Sequence, residues 1–193
     1  YFLRTHGMSV AVAGTLVGLA SLVSSLGTLS SGAMIDALSK RGLSRAPMLV
    51  LMSALILIAI FGLGLSRLAQ SLVLATVCFF VVQFCVSMGP PAYLTALQRV
   101  TPEICRATVF SVVMVVVTLI GGSVGPTVIG FLADSVFSTD DVAEQADSLA
   151  WALSATYAVF GLGGALAAAI GFKAFSSASE ETLEMNKSLN RDG

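Results

Sequence analysis

Apolar residues in this chain come in long blocks, and nothing else constrains its fold as much. Five blocks, 9-38, 47-65, 72-97, 102-132 and 149-175, each approach or exceed the ~20 residues that an α-helix needs to cross a bilayer. Only 11% of the residues are charged and 56% are hydrophobic, whereas a soluble domain carries about 25% charged residues. The reading is an all-α membrane protein with five transmembrane helices. A net charge of -1 points to no nucleic-acid partner.

Local signals set the helix ends. Ser9 can cap the first span and Pro47 suits the first turn of the second. Gly89-Pro90-Pro91 should break the third. Thr101 is expected to cap the fourth, with Pro102 in its first turn and Glu103 beside the positive helix end. Beyond Phe175, residues 176-193 read as a polar, mobile tail.

Basic residues orient the spans. Lys40, Arg41 and Arg45 follow the first span, Arg99 and Arg106 flank the loop after the third, and Lys173, Lys187 and Arg191 lie near the C-terminus. The opposite side has Arg4, Arg67 and an acidic loop with Asp140, Asp141 and Glu144. The loops after spans one and three and the C-terminus are therefore expected in the cytoplasm, in a plasma or inner membrane.

Two helix ends match. Gly27, Gly32 and Asp36 close the first span, and Gly125, Gly130 and Asp134 close the fourth at the same spacing. As first and fourth spans, they end on opposite sides of the membrane, which is how an inverted repeat looks in sequence. With three-helix units, the first unit lacks one helix before Tyr1, and the chain opens on Tyr1-Phe2-Leu3-Arg4 without an initiating Met. The expectation is a C-terminal bundle, residues 1-175, packing against further N-terminal helices of the same protein.

Gly32-Ala33-Met34-Ile35-Asp36, followed by Lys40-Arg41, resembles the cytoplasmic loop motif of the major facilitator superfamily. Ala37 and Ser39 depart from it, standing where the family usually has a basic residue and a Gly. Val100-Thr101-Pro102-Glu103-Ile104-Cys105-Arg106-Ala107, then Gly121-Gly122-Ser123-Val124-Gly125-Pro126 and Gly130-Phe131-Leu132-Ala133-Asp134, resembles the tenth-to-eleventh loop and eleventh helix of its spinster-like branch. Arg4-Thr5-His6-Gly7-Met8-Ser9 with Ala13-Gly14 is similar to the entry of the eighth helix there. The resemblance implies that the five spans are helices eight to twelve of a twelve-helix fold. It also implies a secondary active transporter that moves a small organic or amphipathic solute by alternating access.

Three groups of residues are candidates for that work. Gly32, Asp36, Lys40, Arg41, Glu103 and Arg106 would form a cytoplasmic loop motif and charge latch, against a plain solvated loop as the alternative. Gly14, Gly18, Ser21, Ser25, Thr28 and Gly32 recur at steps of four and three, so they share one helix face. With Gly121, Gly125, Pro126 and Gly130 of span four, they would let helices approach and rock, against static packing as the alternative. Gln83, Ser87, Pro90 and Tyr93 of span three would line a path, where Gln83 serves equally as a helix-to-helix hydrogen bond. Span two, rich in Leu, Ile and Met, should face lipid.

No Asp, Glu, Lys, Arg or His falls in the middle of a span, so the chain shows no intramembrane coupling residue. One His and three scattered Cys carry no metal-ligand spacing, and no cofactor is implied. An intramembrane enzyme would need an acidic or Ser-His cluster near one interface, and none is present. A non-transporting membrane subunit is the remaining alternative.

Overall fold

The computed structural model describes residues 9–67, 72–121, 127–128, 131 and 142–189. Among them there are helices and turns and no strand. We number the helices α1 (Val10–Lys40), α2 (Ala46–Arg67), α3 (Leu72–Val100), α4 (Arg106–Leu119) and α5 (Val142–Leu189), with a short 3-10 turn at Glu103–Cys105 before α4. Four contain a stretch long and apolar enough to cross a membrane: Val10–Lys40, Ala46–Gly64, Leu72–Val100 and Ser154–Phe172. Only 121 and below, 127–128 and 131 of the expected fourth span fall within the described residues.

Helix ends follow local chemistry. The Ser9 hydroxyl accepts from the Val12 amide at 3.4 Å, as a cap should. At the far end of α1, Gly42 takes φ +82°, a conformation that glycine adopts without the Cβ penalty. Its amide donates to Ser39 at 3.0 Å and that of Leu43 to Leu38 at 3.2 Å. This is a Schellman stop, and it turns the chain directly into α2.

Two expectations at helix ends are corrected. Gly89-Pro90-Pro91 does not break α3, which stays helical to Val100. Thr101 does not cap α4 either. Its hydroxyl donates back to the Leu97 carbonyl at 2.7 Å and so finishes α3. Pro102 then leaves the helix at ψ 148°, and α4 begins only at Arg106. Beyond Phe175, α5 continues as helix to Leu189.

Helices pack in the order α1, α3, α2, α5. Ile35 of α1, Val50 and Ala54 of α2, and Met88 and Ala92 of α3 form a shared apolar cluster. α2 and α5 run antiparallel in close register. A Cβ on Gly62 would stand 2.4 Å from Tyr157 Cβ, one on Gly161 would stand 3.0 Å from Ala59 Cβ, and one on Gly164 would stand 3.2 Å from Leu55. Lipid tails are as apolar as Leu, so close backbone approach, rather than apolar burial, holds such helices together. Buried positions on α5 run Ser154, Gly161, Ala165, Ala168, Phe175, Ser179 and Thr182, at steps of seven, four and three. That 3.5-residue period keeps one seam against its neighbours over the whole length.

Span two keeps an exposed apolar face through Ile56, Ile60 and Leu63, as expected for lipid, but its other face is buried in the bundle. In its membrane-length window 39% of α2 is buried, against 28% for α3, 17% for α5 and 12% for α1. Its side chains are large, but Ala46, Ala54 and Ala59 let α3 and α5 come close. α4 is the peripheral element. It meets α3 and the 3-10 turn and buries no residue. Leu29, Ile60, Phe160 and Ile170 point outward, as suits lipid.

Candidate functional site

The site begins with a deficit in the backbone of α3. Proline has no N–H, so Pro90 and Pro91 leave the carbonyls of Val86 and Ser87 without their usual helical donors. Inside a membrane, such groups must find partners on neighbouring helices. Ser87 finds one on α1, where the Thr28 hydroxyl lies 3.2 Å from its carbonyl. One turn on, the buried Ser31 hydroxyl donates to the Met88 carbonyl at 2.8 Å. Gly27 makes both possible, because a Cβ there would sit 2.4 Å from the Phe84 carbonyl oxygen. Thr28 and Ser87 both lie near the midpoint of their spans.

This contact joins two partly uncovered faces. On α1, Ser21, Ser25 and Thr28 are exposed along one stripe. On α3, Gln83 and Ser87 are half-buried and Pro90 is exposed, with Tyr93 half-buried just round the helix. The Ser87 hydroxyl donates to the Gln83 carbonyl at 2.9 Å, and Ser25 bonds its own helix at 3.0 Å. The hydroxyls thus have local partners for their protons while keeping lone pairs open to the exterior. A small and polar strip results near the middle of both spans, exposed on α1 and partly exposed on α3.

The small-residue stripe expected to pack α1 has a different position. Gly14, Gly18 and Gly32 have open space where a Cβ would stand, and Gly14 and Gly18 are exposed. The buried residues of α1 are Ala20, Gly27, Ser31 and Ile35 instead, one position round from the stripe, or about 100°. Gly121 is also exposed with open space, and Gly125, Pro126 and Gly130 lie outside the described residues.

At one end of the bundle, charged residues gather. The Arg99 guanidinium donates to the Ser44 carbonyl and, at 2.8 Å, to the Ser39 hydroxyl. It ties the end of α3 to the α1–α2 turn. The Arg45 guanidinium lies 4.9 Å from the centre of the Phe172 ring, a cation–π contact that ties the same turn to α5. Glu103 and Arg106 stand nearby, beside Ser179 and Thr182 of α5. Asp36, Lys40 and Arg41 are exposed, and among the described residues Asp36 pairs with neither basic neighbour. The structure thus brings Glu103 and Arg106 together with Arg99 around one cleft, whose lining includes none of Asp36, Lys40 and Arg41. Sequence reasoning missed Arg99, whose place in the last turn of α3, opposite a hydroxyl-bearing turn, was the available signal. It missed Thr28 and Ser31 as partners of α3; two hydroxyls one turn apart, set against a Pro-Pro pair, could have revealed them.

The sequence model of the major facilitator superfamily matches residues 1–126, about two thirds of the chain and all of the strip just described. The chain belongs to the major facilitator superfamily. Its four membrane-length helices and its family together make it an integral membrane protein of a transporter family rather than of an enzyme family. No match was found among curated proteins.

Proposed function

We propose that this facilitator is a secondary active transporter moving a small organic or amphipathic solute by alternating access, and that the strip through Ser21, Ser25, Thr28, Gln83, Ser87, Pro90 and Tyr93 lines its path. One observation carries the reading: the Thr28–Ser87 contact lies at mid-span, between two polar faces that the described residues leave partly uncovered. Polar groups at that depth are expensive in lipid and ordinary in a water-filled cavity.

In this reading the five spans are helices eight to twelve of a spinster-like carrier, with the C-terminus in the cytoplasm. Chain direction supports a fourth span. The start of α4 and residues Ser179 and Thr182 late in α5 share one end of the bundle. The chain leaves that end at Arg106 and enters α5 from the other. The two ends of the small-residue stripe of α1, Gly14 and Gly18 before the path residues and Gly32 after them, are surfaces for further helices of the same carrier, on which they rock together with Gly121, Gly125, Pro126 and Gly130. Asp36, Lys40 and Arg41 form a charge latch with Glu103 and Arg106 in another state of the cycle.

The test is flux in proteoliposomes across a series of amphipathic solutes, with and without an ion gradient. Protein-dependent uptake that Gln83→Trp and Ser87→Trp block supports the reading. Uptake that both bulky variants leave unchanged contradicts it.

A further inference from the structure

The end of the bundle holds a cleft of about 380 Å³ between the α1–α2 turn, the end of α3, the 3-10 turn and the extension of α5. Its polar wall includes Ser44, Arg99, Glu103, Arg106, Ser179 and Thr182. Arg106 Nε is buried and has no hydrogen-bond partner among the described residues. A buried cationic donor without an acceptor is costly, and a bound oxygen would relieve it. Arg99 spends two donors on Ser44 and Ser39, and a guanidinium carries five. Ser179 adds a buried hydroxyl. Two guanidinium groups against one carboxylate leave the cleft with a single net positive charge.

Depth selects the ligand. Arg99 is in the last turn of a membrane span, and the cation–π contact of Arg45 with Phe172 marks the end of another. Ser179 and Thr182 follow Phe172 by seven and ten residues, roughly 10–15 Å of helix. The cleft thus lies in the headgroup layer and just beyond it. A group with one negative charge and several acceptor oxygens at that depth is a phosphodiester, and arginine forks suit phosphate oxygens. We infer that this cleft binds the phosphate of an anionic phospholipid headgroup, with Arg106 as its main donor and Glu103 as the charge that limits its affinity. Basic pockets between membrane helices are known to serve this purpose.

The test measures lipid retention and needs no transport, so it stands apart from the proposed function. The full chain is placed in nanodiscs of phosphatidylcholine with phosphatidylglycerol, and retained lipid is counted by native mass spectrometry. Arg106→Gln should weaken phosphatidylglycerol retention by about tenfold, the loss of one charge-assisted contact. Glu103→Gln should strengthen retention, which a merely structural role would not do. Inorganic phosphate is added as competitor. Failure to displace the lipid supports the headgroup assignment, whereas displacement supports the phosphate site but moves its ligand to solution. Equal phosphatidylglycerol retention by the parent chain and by Glu103→Gln overturns the inference, even where Arg106→Gln does not fold. So does equal retention by a folded Arg106→Gln.

Discussion

The Thr28 hydroxyl of α1 shares its proton, at 3.2 Å each, between the Ser24 carbonyl of its own helix and the Ser87 carbonyl of α3, the group that Pro91 deprives of its own helical donor. One side chain thus compensates a backbone defect on another helix. The pairing predicts a coupling. Thr28→Val keeps the shape and removes the donor, and should cost about 0.6–2 kcal/mol of stability. In a Pro91→Ala background the residue at 91 regains its N–H and can serve Ser87 itself, so the same change should cost much less. Unfolding in mixed micelles across the four variants measures the difference. Equal costs in both backgrounds would show that the proline and the hydroxyl are independent.

Close approach is confined to particular glycines. A Cβ at Gly27 would stand 2.4 Å from Phe84 backbone oxygen, and one at Gly62 would stand 2.4 Å from Tyr157 Cβ. Gly27→Ala and Gly62→Ala should each destabilise the bundle by about 1–3 kcal/mol through overpacking. Gly14→Ala and Gly18→Ala meet nothing within 4 Å and should stabilise their helix slightly, by up to about 1 kcal/mol, as Ala is the better helix former. Thermal unfolding of the four variants checks the order. A reversed order would place the tight interface on the other face of α1.

That contrast also shows where the sequence could be read and where it could not. Helix existence was legible, because long apolar blocks have few other solutions in lipid. α1 and α3 begin and end within three residues of the expected bounds, and Ser9 caps as expected. Rotation about the helix axis was not legible. In a soluble helix the polar face marks the outside, but here Leu and Val cover every face. The glycine stripe and the true seam of Ala20, Gly27, Ser31 and Ile35 looked equally good, and only the proline defect in α3 chose between them. The seam of α2 was not legible for the same reason, since large apolar side chains meet lipid, as at Ile60, or a neighbouring helix, as at Val50, equally well. Of the candidate path residues, Gln83, Ser87, Pro90 and Tyr93 do share a partly uncovered side of α3. The charged candidates read as one latch, yet Arg99 holds the turn because its guanidinium reaches two acceptors there, the Ser44 carbonyl and the Ser39 hydroxyl.

Arg99 carries a separate prediction. Its two bonds to Ser39 and Ser44 tie the α1–α2 turn to α3. Arg99→Gln should free that turn and cost about 1–2 kcal/mol, discounted from a buried charged pair because the site is half exposed. Hydrogen exchange at residues 41–45 should rise, while exchange in α2 beyond Ala54 stays unchanged. Exchange in the turn that does not respond would mean that the Schellman stop at Gly42 holds it without help.

The central claim is that the mid-span strip faces water. It is tested most directly by thiol labelling in membranes, with Cys78, Cys85 and Cys105 first replaced by Ala. Single cysteines at Ser25, Gln83 and Ser87 are compared with cysteines at Ile60 and Val159, which are exposed on other faces. A membrane-impermeant maleimide needs water to form the reactive thiolate. The account predicts rapid labelling at the three strip positions and none at the two lipid-facing ones. Labelling at Ile60 and Val159 with none at Ser25, Gln83 and Ser87 would contradict it.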